Sequence, residues 1–170
     1  METYKKIEGF ENYSVSDFGN VRNDKTGRIK TAGANKNGYI RVDLTKDGIT
    51  KHIHTHQLVA LTFIPNLENK PHVDHIDNNR INNNITNLRW ATRSENNQNA
   101  SIRSNNKSGS KGVSWSKKTQ KWSANISING KQINLGSFIN KDDAINIRVQ
   151  RAKDVFGEYI NKCEIPVVIT

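Results

Sequence analysis

Asp74 and His75 stand side by side in Val73-Asp74-His75-Ile76-Asp77, and 9 of the 22 residues that follow from Asn78 to Asn99 are asparagine. A carboxylate is a hard oxygen donor for a divalent cation, and an imidazole is a base that titrates near neutrality. Together they meet needs of phosphodiester hydrolysis: a base that activates water, and a cation that offsets charge developing around phosphorus and on the leaving 3′-oxygen. Adjacent residues on an extended strand point to opposite faces, so the pair converges only if the chain bends or the cation approaches from the strand edge. The asparagine-rich segment must supply that geometry. Asparagine competes for backbone hydrogen bonds and favours turns, so the segment reads as a long functional loop. His52, His54 and His56 alternate as one flanking face of a hairpin would, and receive no ligand role.

The elements that must hold this loop are short. Residues 4–50 alternate small apolar groups with turn signals, and Asp47-Gly48 predicts a hairpin pairing Tyr39-Ile40-Arg41-Val42-Asp43-Leu44 with Thr50-Lys51-His52-Ile53-His54. Gln57 to Ile64 is an apolar, helix-compatible run closed by Pro65. Asn87-Leu88-Arg89-Trp90-Ala91 is strand-like, with Trp90 read as core. Thr92-Arg93-Ser94-Glu95 fits a capping box, placing a helix start near Arg93 and Asn96 in its first turn. After a polar stretch from Ser101 to Gly109, three strands are expected around Val113, around Lys121-Trp122-Ser123-Ala124-Asn125-Ile126-Ser127-Ile128 and around Ile133. The last two join at Asn129-Gly130. An amphipathic helix follows from Asp142 to Phe156, stopped by Gly157.

Of 170 residues only 34% are hydrophobic, which favours several small modules over one large core. The net charge is +10, and +7 of it lies in residues 101–170; from Asn96 to Lys141 there is no carboxylate. Such a stretch suits a phosphate-binding surface. Cys163 is the single cysteine, which excludes an internal disulfide and a cysteine-based zinc site and fits a reducing, intracellular setting. No apolar run approaches the ~20 residues of a membrane span, and the start lacks a signal-peptide core.

The blocks Val73-Asp74-His75-Ile76-Asp77-Asn78-Asn79, Asn82-Asn83-Asn84 and Thr86 to Asn97, preceded by His56-Gln57-Leu58-Val59-Ala60, resemble the HNH homing endonucleases of phages and mobile introns. The resemblance implies a ββα-metal fold clasping one divalent cation. His75 would be the general base, Asp74 and Asn96 the cation ligands, and Asn87 the residue that fixes the loop and orients His75 through a hydrogen bond. Asn96 replaces the final histidine of the family name; oxygen donors suit Mg²⁺ or Mn²⁺ and disfavour zinc, and Asn97 or Asn99 remain alternatives.

Tyr4 to Phe10 and Tyr13 to Arg22 resemble the N-terminal modular motif of phage homing nucleases, with Tyr4 where tryptophan is usual. That motif implies DNA contact; a scaffold sheet is the alternative. Lys111-Gly112-Val113, Lys121 to Ile126 and Leu135-Gly136-Ser137-Phe138 resemble the plant ethylene-response-type (Apetala-like) DNA-binding domain, which implies a three-stranded sheet in a major groove about 12 Å wide. The candidate contacts are Lys111, Ser114, Trp115, Lys117, Lys118, Lys121, Trp122, Asn125, Ser127 and Lys131, with one tryptophan in the core.

The expected fold class is therefore α+β. Its parts are an N-terminal antiparallel sheet (1–50), a ββα-metal nuclease core (51–100), a linker (101–109), a three-stranded sheet packed on one helix (110–160) and a tail (161–170). The expected function is site-specific, nicking hydrolysis of double-stranded DNA by a monomer with one Mg²⁺ or Mn²⁺, without membrane or obligate protein partner. The alternative is a catalytically inactive DNA-binding regulator.

Overall fold

The structure is a computed structural model and describes residues 1–164; the end of the expected tail, residues 165–170, lies outside the described residues. The chain divides into two compact units, Met1–Thr92 and Arg93–Thr170. The division falls inside the 51–100 segment read as one nuclease core. The α+β class is as expected.

In the first unit β1 (Tyr4–Ile7), β2 (Phe10–Ser16) and β3 (Val21–Asn23) form one antiparallel sheet, and β4 (Gly33–Ala34), β5 (Ile40–Lys46) and β6 (Ile49–His54) a second. Asp47 and Gly48, at φ of 51° and 76°, make the expected turn between β5 and β6. Helix α1 (Thr55–Phe63) follows at once, starting two residues earlier than its apolar run, so His56 is helical. Strands β7 (His72–His75) and β8 (Leu88–Ala91) pair antiparallel with His75 opposite Leu88 and Asp74 opposite Arg89.

One hydrophobic cluster joins all of these. Ile7, Tyr13, Val15 and Val21 from the first sheet meet Val42 and Leu44 from the second, Leu58 and Val59 from α1, and Leu88 from β8. The N-terminal sheet and the nuclease strands, expected as separate modules, therefore share a core. The reason is size: neither piece alone buries enough apolar surface to offset the entropy of ordering its chain. Trp90 is half-buried, and its indole N–H donates to the Ile64 carbonyl at 2.9 Å, satisfying an acceptor at the end of α1.

In the second unit α2 (Arg93–Asn99) begins where the capping-box signature placed it. Strands β9 (Val113–Ser116), β10 (Lys121–Ile128) and β11 (Lys131–Phe138) form an antiparallel sheet ordered β11-β10-β9, and α3 (Lys141–Phe156) covers one face. Val113, Ala124 and Ile126 meet Ala144, Ala152 and Phe156 across that interface. A buried ion cluster ties α3 to the segments beside it: Glu164 is ion-paired with Lys111 at 2.9 Å and with Arg148 at 3.1 Å. Among the described residues no helix is long and apolar enough to cross a membrane.

Candidate active site

Asp74 and His75 close strand β7, and both are about 95% buried, at 5% exposure. Asp74 faces its cross-strand partner: Arg89 Nε and Nη2 both donate to Oδ2, at 3.0 and 2.9 Å. This charge-assisted fork fixes the carboxylate's orientation. After His75 the chain turns, with the Asn78 amide bonded to the His75 carbonyl at 2.9 Å and Asn78 at φ 62°. The turn follows the pair, which itself stays in the extended strand.

Asn87 is the clamp of the loop. Its Nδ2 donates to Asp77 Oδ1 and to the Asn82 carbonyl, each at 2.8 Å, and its Oδ1 accepts from the Asp77 amide at 3.0 Å. Its backbone carbonyl accepts from Ile76 at 2.9 Å. Asp77, which the sequence did not single out, is the hub at the other side, gripping Asn82 Nδ2 and the Asn79 amide at 2.7 Å. Burial alone would raise its carboxyl, but the hydrogen bonds from Asn82, Asn79 and Asn87 and the nearby His75 bring it below the usual value. The Asp-Asn-Asn run is the signal that could have found it, since such residues close Asx turns.

His75 differs from expectation in its partner. Its Nε2 is hydrogen-bonded to Asn83 Oδ1 at 3.1 Å, so the expected role of Asn87 in orienting the ring through a hydrogen bond falls, for this ring atom, to Asn83. The Asn87 amide bonds instead to Asp77 and Asn82 within the loop. Around the imidazole stand Tyr39 and His56, with ring centroids 5.9 and 5.0 Å away. His56 also stacks on His54 at 5.4 Å, and Asn35 Nδ2 lies 3.0 Å from His54 Nε2. Of the three alternating histidines only His52 is a plain hairpin-face residue, its Nδ1 hydrogen-bonded to Asp43 Oδ1 at 2.6 Å. Burial depresses the His75 imidazole below the ordinary histidine value; Asn83, Asp77 and Asp74 oppose this, and Arg80 adds to it. Burial, then His75 and His54, bring His56 down to about 3. Both rings are thus neutral at neutral pH.

A solved structure described as "DNA binding and cleavage by the HNH homing endonuclease I-HmuI" is similar to this chain. Its TM-score is 0.56 and its identity 32%, covering 91% of this chain and 83% of that one. The chain belongs to the HNH endonuclease family. Residues 54–98 match the HNH endonuclease family and residues 2–45 the NUMOD4 motif. Among curated proteins, the DNA endonuclease I-HmuI of Bacillus phage SP01 is 41% identical over 97 residues, 56% of this chain and 56% of that protein. The uncharacterized HNH endonuclease L245 of Acanthamoeba polyphaga mimivirus is 39% identical over 90 residues, 53% of this chain and 27% of that protein. The chain thus spans between about a quarter and just over half of these curated relatives.

Within this HNH chain the remaining candidates lie in the second unit. Asn96 is half-buried on α2, with Asn97 exposed beside it, while Asn99 is 1% exposed and bonded through its carbonyl to Asn161 Nδ2. Ser114, Lys121, Asn125 and Ser127 lie on the sheet face opposite α3, and Lys117 and Lys118 are exposed in the β9–β10 turn. Four candidates fall elsewhere. Trp115 pairs with Trp122, edge to face at 5.3 Å, on the α3 side of the sheet, where Lys131 also lies opposite Ile128. Lys111, read as a phosphate contact, donates to the Gln98 carbonyl at 2.8 Å and pairs with Glu164, so its charge is neutralised inside the unit. Its single-residue context carried no hint of a carboxylate 53 positions away.

Proposed function

We propose that the chain is a site-specific, homing-type endonuclease that hydrolyses a phosphodiester bond of double-stranded DNA and cuts one strand. The observation that supports this is the state of His75: a buried, neutral imidazole held by a hydrogen bond, one residue from a buried carboxylate of fixed orientation. A neutral imidazole can take the proton from water as the oxygen attacks phosphorus. The P–O3′ bond breaks, the 3′-oxygen leaves as hydroxyl after protonation, and the 5′ side keeps the phosphate.

The donor set fits a hard divalent cation. Asp74 offers carboxylate oxygen and Asn96 amide oxygen, and among the described residues no group of three or more His, Cys, Asp or Glu side chains could hold a metal ion. Asp74 and Asn96 are the proposed ligands of one Mg²⁺ or Mn²⁺. When bound, that cation supplies charge stabilisation to the phosphate and the departing oxygen. Arg89 keeps the Asp74 carboxylate in one orientation.

Recognition is assigned to the flanking sheets. In the second unit the outer face of β9–β11 carries Ser114, Lys121, Asn125 and Ser127, with Lys117 and Lys118 at its edge. A three-stranded sheet backed by one helix would suit a major groove, with lysines on phosphates and Asn125 on base edges. The test is to select DNA bound by the chain from a random pool, place it in a supercoiled plasmid, and incubate with Mg²⁺, Mn²⁺ or EDTA. Metal-dependent open circles from wild type, absent with His75→Ala, support the reading. Selective binding with no cleavage of the bound site would replace it with the DNA-binding regulator.

A further inference from the structure

Asn83 is 5% exposed and lies between two things: the His75 ring on one side and a turn of the N-terminal module on the other. The turn joins β2 to β3. Gly19 occupies it at φ +88°, and a Cβ built there would come within 2.7 Å of Asn83 Cβ and 3.4 Å of both the Asn83 carbonyl oxygen and Thr55 Cγ2. So only hydrogen fits against Asn83, and the left-handed φ independently favours glycine. The turn itself is rigid. Ser16, fully buried, accepts from the Asn20 amide through Oγ at 2.9 Å and donates its own amide to the Asn20 carbonyl at 2.8 Å. The Asp17 carbonyl accepts from the Ile85 amide at 2.8 Å, fastening the turn two residues beyond Asn83.

An amide carbonyl oxygen only accepts, so the contact with Asn83 Oδ1 puts the His75 proton on Nε2 and leaves the lone pair on Nδ1. We propose that Asn83 is the positioning residue that selects this tautomer and ring orientation of His75, and that the Asp17–Asn20 turn sets the place of Asn83. The N-terminal module then contributes to the rate of the chemical step as well as to any grip on DNA. This rests on the reading of His75 as the base. It gives the module a function that neither charge nor composition suggested, because the link runs through packing against a glycine and a backbone hydrogen bond.

The test uses the full chain: wild type, Asn83→Leu, Asn83→Asp and Gly19→Ala. A long-range proton–nitrogen NMR spectrum, without metal or DNA, reads the His75 tautomer; single-turnover cleavage and DNA affinity are measured on the selected site. Wild type is expected in the Nε2–H form. Asn83→Leu should mix the tautomers and slow cleavage by about 100-fold, the scale of a misplaced catalytic group, with DNA affinity unchanged. Asn83→Asp, which still accepts, should restore the tautomer and most of the rate. Gly19→Ala should act in the same direction as Asn83→Leu. An Nδ1–H tautomer in wild type overturns the proposal, and that spectrum decides even if a variant fails to fold. Asn83→Leu with unchanged tautomer and rate overturns it as well, and Gly19→Ala that loses only DNA affinity overturns the part played by the turn. If His75→Ala cleaves fully while wild type holds the Nε2–H form, the base assignment fails instead, so the two failures separate by readout.

Discussion

The loop from Asp77 to Asn87, rich in asparagine, and the sheet β9–β11, rich in serine, are both polar, yet they use their side chains in opposite ways. In the loop the polar side chains that hold its shape bond internally: Asn83 and Asn87 are buried, and Asp77, Asn82 and Asn87 bond to one another and to the backbone. On the sheet Ser114, Lys121 and Ser127 are exposed and point away from the helix that covers the other face. Polar groups satisfied internally fix a geometry, as chemistry demands; polar groups left facing water can exchange it for a ligand's groups at little cost. The second unit keeps its rigidity in another place, the buried Lys111–Glu164–Arg148 cluster.

Substitutions should separate the two regions cleanly. His75→Ala is expected to lower single-turnover cleavage by about 100- to 10,000-fold while leaving DNA affinity intact; unaltered cleavage would end the contrast. In the second unit, Glu164→Ala leaves two buried cations without their partner, and chemical denaturation should show a loss of about 3–5 kcal/mol. Asn87→Ala strips the loop of its clamp and should cost about 2 kcal/mol in the same assay, with cleavage reduced as well. A change in activity alone, with stability unmoved, would assign Asn87 to the substrate rather than to the loop.

His56 makes a pH test. Its imidazole is held at about 3 in the fold, against the ordinary 6.5 of an unfolded chain. The unfolded state therefore binds the extra proton first as pH falls below 6.5, and stability is lost progressively from there down toward 3. Between pH 7 and pH 5 the loss from this group should be about 2 kcal/mol, and His56→Phe, which cannot protonate, should flatten that limb of the urea midpoint. The smallest effect belongs to the sheet: Lys117→Ala with Lys118→Ala should weaken DNA binding modestly and lower the salt dependence by about one unit per lysine. The cleavage rate at saturating protein should stay unchanged.

What the sequence revealed follows the range of the forces involved. Asp47-Gly48, Asn129-Gly130, the Thr92 capping box and the Gly157 stop are set by a few adjacent residues, and all four were legible. The Asp74-His75 pair stood out as a candidate through its types and setting, and the structure buries both residues. The pairing of Arg89 with Asp74 depended on strand register, and the contact of Asn83 with His75 on how a loop folds back over eight residues. Nothing local marked either. His56 was misplaced because alternation with His52 and His54 continues smoothly while the backbone changes from strand to helix at Thr55. Lys111 was misread for the same kind of reason, its partner lying far along the chain.

The shared hydrophobic cluster of the first unit bears on how such a protein can be cut and rejoined. Removing residues 1–50 would take Ile7, Tyr13, Val15, Val21, Val42 and Leu44 from the surface against which Leu58, Val59 and Leu88 pack. The nuclease strands left behind would expose an apolar face and lose the turn behind Asn83. A chimera that exchanges recognition parts should therefore move the N-terminal sheets with their strands and helix as one piece, and accept that the seam after Thr92 carries Asn96 away with the other partner. A recombination joint inside the first unit would divide that shared cluster between two parents that did not evolve to pack together.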